Sequence, residues 1–154
     1  MDKWEKYRIF VGKNADYYIP RFKKFEETQS VVSWNWAAFF FGLLWMLYRK
    51  MYLYSVIFTI ALFLFGLLLS VFNLYNNLVM LGVQIWLWVG FGVFGNYVYY
   101  THVEKKVKDI ENRFPDPQVQ AVILEKEGGV SWIAPIVFFL IIFVLQILTV
   151  SQMR

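Results

Sequence analysis

The chain has 154 residues, 59% hydrophobic and 21% aromatic, with a formal net charge of +4. A soluble domain of this size has no use for so much apolar surface, and the excess points to lipid. With no cysteine and a single histidine, His102, disulfide frameworks, thiolate chemistry and any metal site built on two histidines are excluded.

Residues 1–32 read as a basic, amphipathic cytoplasmic region. Seven of the fifteen Lys and Arg residues fall within 1–30, a polarity wrong for a cleaved signal peptide, so insertion through the internal helices is expected. From Asn14 to Glu27, Tyr18, Phe22 and Phe25 recur at helical spacing beside Arg21, Lys23 and Lys24. Such a helix either lies in the interface of an anionic leaflet or packs on the protein's own cytoplasmic helix. Pro20 falls in its first turn or kinks it.

The membrane domain is placed at 33–150. Its first segment, Ser33 to Tyr48, is uncharged and aromatic, but its 16 residues reach only about 24 Å as a helix against a hydrocarbon core of about 30 Å. Three longer runs meet the length of a span. Residues 51–73 are free of charge, and 77–100 are uncharged with Gln84 and Asn96 as the strongest polar groups. The last, 130–150, follows Gly128-Gly129 with Pro135 in its first turn, where a missing N–H costs little. A four-residue tail, 151–154, closes the chain.

Between the second and third spans, 101–129 reads as a cytoplasmic helical hairpin. Val103, Val107, Ile110 and Phe114 mark one face of a helix continuing out of the span, and Pro115 and Pro117 end it. Asp116 is the expected N-cap of the second arm, with Val119, Val122 and Ile123 as its apolar stripe and Gly128-Gly129 as its stop.

Charge bears on whether 33–48 crosses. If it is re-entrant or interfacial, the cations of 1–30, Arg49-Lys50 and 101–129 share one side and only Arg154 lies opposite. If it crosses, the basic flanks are split evenly. Four spans are the simpler hydropathy count, but the positive-inside rule favours the first arrangement. The fold expected is an all-α integral membrane protein with three transmembrane helices and a short re-entrant or interfacial helix, N-terminus cytoplasmic and C-terminus external.

No ionisable side chain stands inside a span, which argues against proton-coupled transport and intramembrane proteolysis. The carboxylate pairs Asp109/Glu111 and Glu125/Glu127 sit among lysines as solvated faces would, and His102 reads as a membrane-boundary histidine. Arg49-Lys50 between Tyr48 and Tyr52 has the chemistry of an anionic-headgroup contact or a topogenic anchor. Asn35, Trp36 and Trp45 join these four as candidate lipid or partner contacts. Asn96 and the small residues Gly92 and Gly95 are candidate helix-packing positions, and Trp86 and Trp88, near mid-span, are expected to pack between helices. No catalytic residue, metal or cofactor is expected. The basic balance accompanies the membrane flanks rather than any nucleic-acid module.

Several blocks give the chain a resemblance. These are Tyr17-Tyr18 before a basic stretch, Ser33-Trp34-Asn35-Trp36-Ala37-Ala38-Phe39-Phe40-Phe41-Gly42 running into Trp45-Met46-Leu47-Tyr48-Arg49-Lys50-Met51-Tyr52, and Gly95-Asn96 followed by Tyr99-Tyr100. Over roughly 10–110 it resembles small bacterial inner-membrane proteins grouped as a domain of unknown function. Leu43 stands where that pattern leads one to expect proline, so no kink is carried over. The resemblance implies a bacterial cytoplasmic membrane and no particular activity. The function expected is a non-enzymatic interaction protein, an accessory subunit or scaffold with membrane lipids, a protein partner or a second copy around it. The alternative is a small transporter, pore or lipid-binding protein.

Overall fold

The computed structural model describes residues 1–152 and forms, among them, eight helices and no strand. Arg154, the cation expected alone on the far side, lies outside the described residues.

The N-terminal region folds as two helices where the sequence reading has one. Helix α1 (Lys3–Val11) starts at Asp2, whose carboxylate accepts the Glu5 N–H at 2.9 Å, and stops at Gly12. The φ of Gly12, +58°, is one that glycine adopts without steric cost. Helix α2 (Ala15–Thr28) follows and contains Pro20 in its interior, beyond the first turn. Its Tyr18, Ile19, Phe22 and Phe25 form one buried face that packs on the long helix α6 (Asn77–Arg113). The Phe22 ring lies 5.9 Å from that of Tyr99 and 5.4 Å from that of Tyr100, and Phe25 lies 5.5 Å from Tyr97. With Phe22 at 0% exposure, these rings belong to the protein's own core and not to an acyl layer.

Segment 33–48 is two six-residue helices, α3 (Trp36–Phe41) and α4 (Leu43–Tyr48), broken at Gly42 with φ +46°. The pair turns back on itself. At its start the Tyr17 hydroxyl donates to the Trp34 carbonyl at 2.9 Å, and at its end Arg49 Nη1 donates to the Lys13 carbonyl at 2.9 Å, so both ends meet the α1–α2 unit. The single short helix of the sequence reading is therefore corrected to a broken pair. A left-handed glycine cannot be placed from hydrophobicity alone.

Helix α5 (Tyr52–Val71) leads to α6, which Asn76 caps by accepting the N–H groups of Leu78 and Val79 at 3.1 Å. As the periodicity predicts, α6 continues past 100 with Val103, Val107 and Ile110 buried and ends before Phe114. Helix α7 (Pro117–Glu127) starts at Asp116, which accepts the Gln118 N–H at 2.8 Å. Of its expected apolar stripe, Ile123 packs against the core, but the stripe as a whole is rotated. Val119 and Val122 are 40% and 64% exposed, while Leu124 is fully enclosed and Gln120 is buried with its amide donating to the Phe114 carbonyl. The rotation is set at the C-terminal end. There the Gly129 N–H donates to the Phe10 carbonyl at 2.7 Å, and Glu127 meets Lys106 at 3.1 Å and Arg113 at 3.3 Å. These anchors, distant in sequence, override the small apolar advantage of the other face.

Helix α8 (Ile133–Gln152) completes the chain. Three helices are long and apolar enough to cross a membrane, at Tyr52–Val71, within Asn77–Arg113 and at Ile133–Ser151. Their backbones stand apart from one another, although side chains of α5 and α6 meet at Phe58 and Phe91, ring centres 4.8 Å apart. No Cα of α5 lies within 8 Å of one in α6 or α8, and none of α6 lies that close to α8, whereas packed helices run with axes about 8–10 Å apart. Trp86, expected to pack between helices, is 77% exposed because no neighbouring helix closes over it, while Trp88 is 46% exposed with its ring 6.2 Å from that of Phe39 on α3. The core sits at one end of the molecule, among α1, α2, α4, α7 and the extension of α6.

The rotation of α7 is testable. Leu124→Ala should lower unfolding stability by about 2–5 kcal/mol, while Val122→Ala should change it by no more than about 0.5 kcal/mol. Urea unfolding in mild detergent, followed by helicity, measures both, and the opposite ranking would restore the Val119/Val122 stripe.

Candidate functional site

Two polar groups are buried where the α3–α4 pair meets the rest of the chain, and each organises its surroundings. The first is an amide junction. Asn35 caps α3 with its side-chain oxygen, accepting the Ala38 N–H at 2.9 Å, and its amide nitrogen donates to Asn96 Oδ1 at 2.8 Å. Asn96 in turn donates to the Ser33 hydroxyl at 3.1 Å, the Trp34 carbonyl at 3.2 Å and the Tyr17 hydroxyl at 3.3 Å. The backbone joins in, with the Asn35 N–H on the Gly92 carbonyl at 2.7 Å and the Ser33 N–H on the Val93 carbonyl at 3.1 Å. Asn35 and Asn96 are 2% and 0% exposed, so every one of these bonds substitutes for water that is not there.

Such close approach requires small residues on α6. A Cβ on Gly95 would stand 2.7 Å from the Ala38 Cβ, and one on Gly92 would stand 2.9 Å from the Trp34 ring. Gly92, Gly95 and Asn96 are thus brought together with Asn35 at one crossing, three residues apart on α6 or adjacent. The signal in the sequence was the polar amide next to glycine. Its partner Asn35, 61 positions away, was marked as a candidate lipid or partner contact, but nothing in the sequence joined the two.

The second group is Arg49. Its guanidinium is 2% exposed, and Nη1 donates to the Lys13 carbonyl at 2.9 Å and the Val11 carbonyl at 3.3 Å. The Val11 carbonyl is the last of α1, at the negative end of its dipole, and that of Lys13 lies in the turn to α2. The cation also lies 4.4 Å from the centre of the Tyr18 ring and 5.2 Å from that of Tyr99, a favourable desolvated arrangement. Trp45 Nε1 donates to the Tyr18 hydroxyl at 3.3 Å and fixes that ring. Among the described residues no carboxylate lies within ion-pairing distance of Arg49, and its Nε has no hydrogen-bond partner; the enclosed Tyr99 hydroxyl has none either.

The Arg49-Lys50 pair therefore does not stand at the surface as a joint headgroup contact. The two side chains diverge: Lys50, in the left-handed region at φ +58°, donates to the Lys126 and Gly128 carbonyls and ties the α4–α5 turn to the end of α7. Tyr48 is half-buried against Trp132, ring centres 4.7 Å apart. Trp36 and Tyr52 point outward at 62% and 46% exposure and join neither cluster. His102, expected at the boundary, is buried among Phe10, Tyr54 and Tyr99, which removes it from headgroup contact.

Two apolar grooves flank this junction. One, of about 390 Å³, runs between α5 and α6 over Trp45, Phe58 and Phe91. The other, of about 450 Å³, runs between the α3–α4 pair and α8, with Phe41, Leu44, Ile136 and Phe139 as walls and Asn14, Tyr48 and Arg49 at one end. The α8 wall was missed by the sequence reading, although a tryptophan opening a span, Trp132, is the kind of residue that marks an interface. Glu104, Glu111 and Glu127 of the hairpin form ion pairs instead of a reactive site: burial alone would raise the Glu127 carboxyl, but hydrogen bonds from Lys106 and Arg113 outweigh it and hold it below the usual carboxylate range. No group of three or more His, Asp or Glu side chains suited to a metal ion occurs among the described residues.

The family described as a protein of unknown function (DUF2628) matches residues 10–105, more than half of the chain. No curated protein and no solved structure matches it.

Two substitutions probe the crossing. Gly95→Ala should destabilise the protein by about 1–3 kcal/mol by forcing α3 from α6, whereas Gly90→Ala, which meets nothing within 4 Å, should leave stability unchanged or raise it by up to about 1 kcal/mol. Asn96→Leu should cost about 1–3 kcal/mol by leaving the buried Asn35 amide without its acceptor. Thermal melts in detergent read all three, and an unaltered melting point for Gly95→Ala and Asn96→Leu would remove the junction from any role in holding α3 to α6.

Proposed function

The chain belongs to the DUF2628 family of proteins of unknown function, and on that premise we propose that it is a non-enzymatic membrane protein that acts by interaction, as an accessory subunit or small scaffold of a membrane complex. The observation that carries this reading is the separation of the three apolar helices. Only about a tenth of each candidate span's most apolar stretch is buried, 11%, 11% and 6% in chain order. A self-sufficient transporter or channel encloses its pathway between packed spans, and helix association in lipid needs close backbone contact. Here most of each span's surface is left open to neighbours, while the chain's own packing is concentrated in the helical cap at one end and the α3–α6 crossing beside it. Helices of another protein, or of a second copy, are the occupants this arrangement suits.

In the proposed orientation the cap is cytoplasmic in a bacterial cytoplasmic membrane. The cations of 1–30, Arg49-Lys50 and 101–129 all belong to segments that contact one another, through Arg49 on the α1 end and Lys50 on the α7 end. The positive-inside rule then places that body inside and the uncharged α5–α6 turn outside. The α3–α4 pair enters and leaves on the cytoplasmic side, and the C-terminus of α8 faces outward.

A second reading, a lipid-binding protein, is favoured by the groove beside α8. The absence of ionisable side chains from the spans supports neither proton coupling nor ion conduction.

Two measurements test the proposal. An impermeant thiol reagent added to intact cells should label Tyr75→Cys but not Lys24→Cys, both at exposed positions; the reverse pattern overturns the orientation. Purification of the chain from its native membrane in mild detergent, with a photo-crosslinking residue at Leu64 or Trp86, should yield one stoichiometric protein adduct. Adducts to lipid alone would overturn the interaction reading and bring the lipid-binding one forward.

A further inference from the structure

We propose that the groove between the α3–α4 pair and α8 is a binding site for one anionic phospholipid, with an acyl chain along the groove and the phosphate against Arg49. Three features converge on that class of ligand. First, the walls are apolar: Ala37, Phe41 and Leu44 on one side face Ile136, Phe139 and Leu140 on the other. From Trp132 to Leu140 the α8 wall covers about 12 Å of helix, and its volume of about 450 Å³ is within the usual range of a ligand site, about 300–1,000 Å³. Second, the polarity of the groove is confined to Asn14, Tyr18, Tyr48, Trp45 and Arg49, so an amphiphile has one orientation in it. Third, the polar end holds a charge without a counter-charge.

That third feature selects the headgroup. Arg49 is almost wholly enclosed, and it has no carboxylate partner among the described residues. The Val11 and Lys13 carbonyls and the faces of Tyr18 and Tyr99 offset part of the desolvation, but all of these are dipoles or quadrupoles, and a buried cation is stabilised far more by an anion. A phosphate at the polar end of the groove, which Arg49 lines, supplies that charge, and guanidinium is well suited to phosphate. The source is a lipid and not a free phosphate because the groove runs along α8, one of the helices apolar enough to cross a membrane, so whatever fills its apolar length arrives within the bilayer. The Tyr48–Trp132 contact at its end is the kind of aromatic pair found at headgroup depth.

The full chain, exchanged into mixed micelles holding equal amounts of phosphatidylglycerol and phosphatidylcholine, is examined by native mass spectrometry. The wild type should retain one phosphatidylglycerol in preference to phosphatidylcholine by about tenfold, the scale of one charge-assisted hydrogen bond. Arg49→Gln should abolish the preference. Because that change also removes the ties to α1, Ala37→Trp serves as a second variant: it fills the groove from an exposed position without touching Arg49, and should lose the retained lipid of either headgroup while keeping wild-type helicity. Equal retention of the two lipids by the wild type, or undiminished retention in a folded Ala37→Trp protein, would overturn the site. Neither outcome bears on a protein partner, which occupies the span faces.

Discussion

Asn35 and Asn96 hydrogen-bond to each other at 2.8 Å in a place where neither can find water, and this pairing decides where the α3–α4 pair lies. A buried amide without partners costs about 1–3 kcal/mol, and here two amides satisfy each other, cap α3, and hold Ser33 and Trp34 against α6. The glycines at 92 and 95 make the approach sterically possible, since a methyl on Gly95 would overlap Ala38. Hydrophobic attraction is weak as a guide for a segment already surrounded by apolar material, so directional bonds supply the specificity.

Once the pair is fixed at its start, its end is delivered to the α1–α2 unit, and Arg49 completes the connection by binding the carbonyls at and just after the end of α1. Lys50 then binds the end of α7, and Ser131 donates to the Tyr48 carbonyl at 2.9 Å. The α4–α5 turn is thus the node from which the N-terminal helices, the hairpin and α8 are all held. This arrangement explains how three long apolar helices with so little mutual contact keep defined starting positions: each is rooted in the cap, and the portions farther away are left to their surroundings.

The family match ends at residue 105. It includes α2, the amide junction, Arg49 and the apolar part of α6, but not α7 or α8. The groove beside α8 therefore joins a wall from the matched region to a wall outside it. The Arg49 contacts to α1 and α2 have a packing role independent of that groove, and the lack of a carboxylate partner is what distinguishes the guanidinium from a purely structural staple.

The sequence by itself determined the helical class, the three long apolar helices, the continuation of α6 through Val103, Val107 and Ile110, and the Asp116 start of α7. Each follows from a local signal: an apolar run of sufficient length, a 3.6-residue period, or a cap followed by proline. It also marked Asn96 and its glycines, because a strong amide in an apolar helix needs a partner. Only the tertiary structure decided which partner that was, that Tyr18, Phe22 and Phe25 face α6, that Arg49 turns inward while Lys50 turns toward α7, that α7 buries Leu124 instead of Val122, and that Trp86 stays uncovered. These outcomes rest on contacts between residues far apart in the chain, where one face of a helix gains over another by the fit of a single amide, guanidinium or glycine, and no periodicity within the helix records that difference.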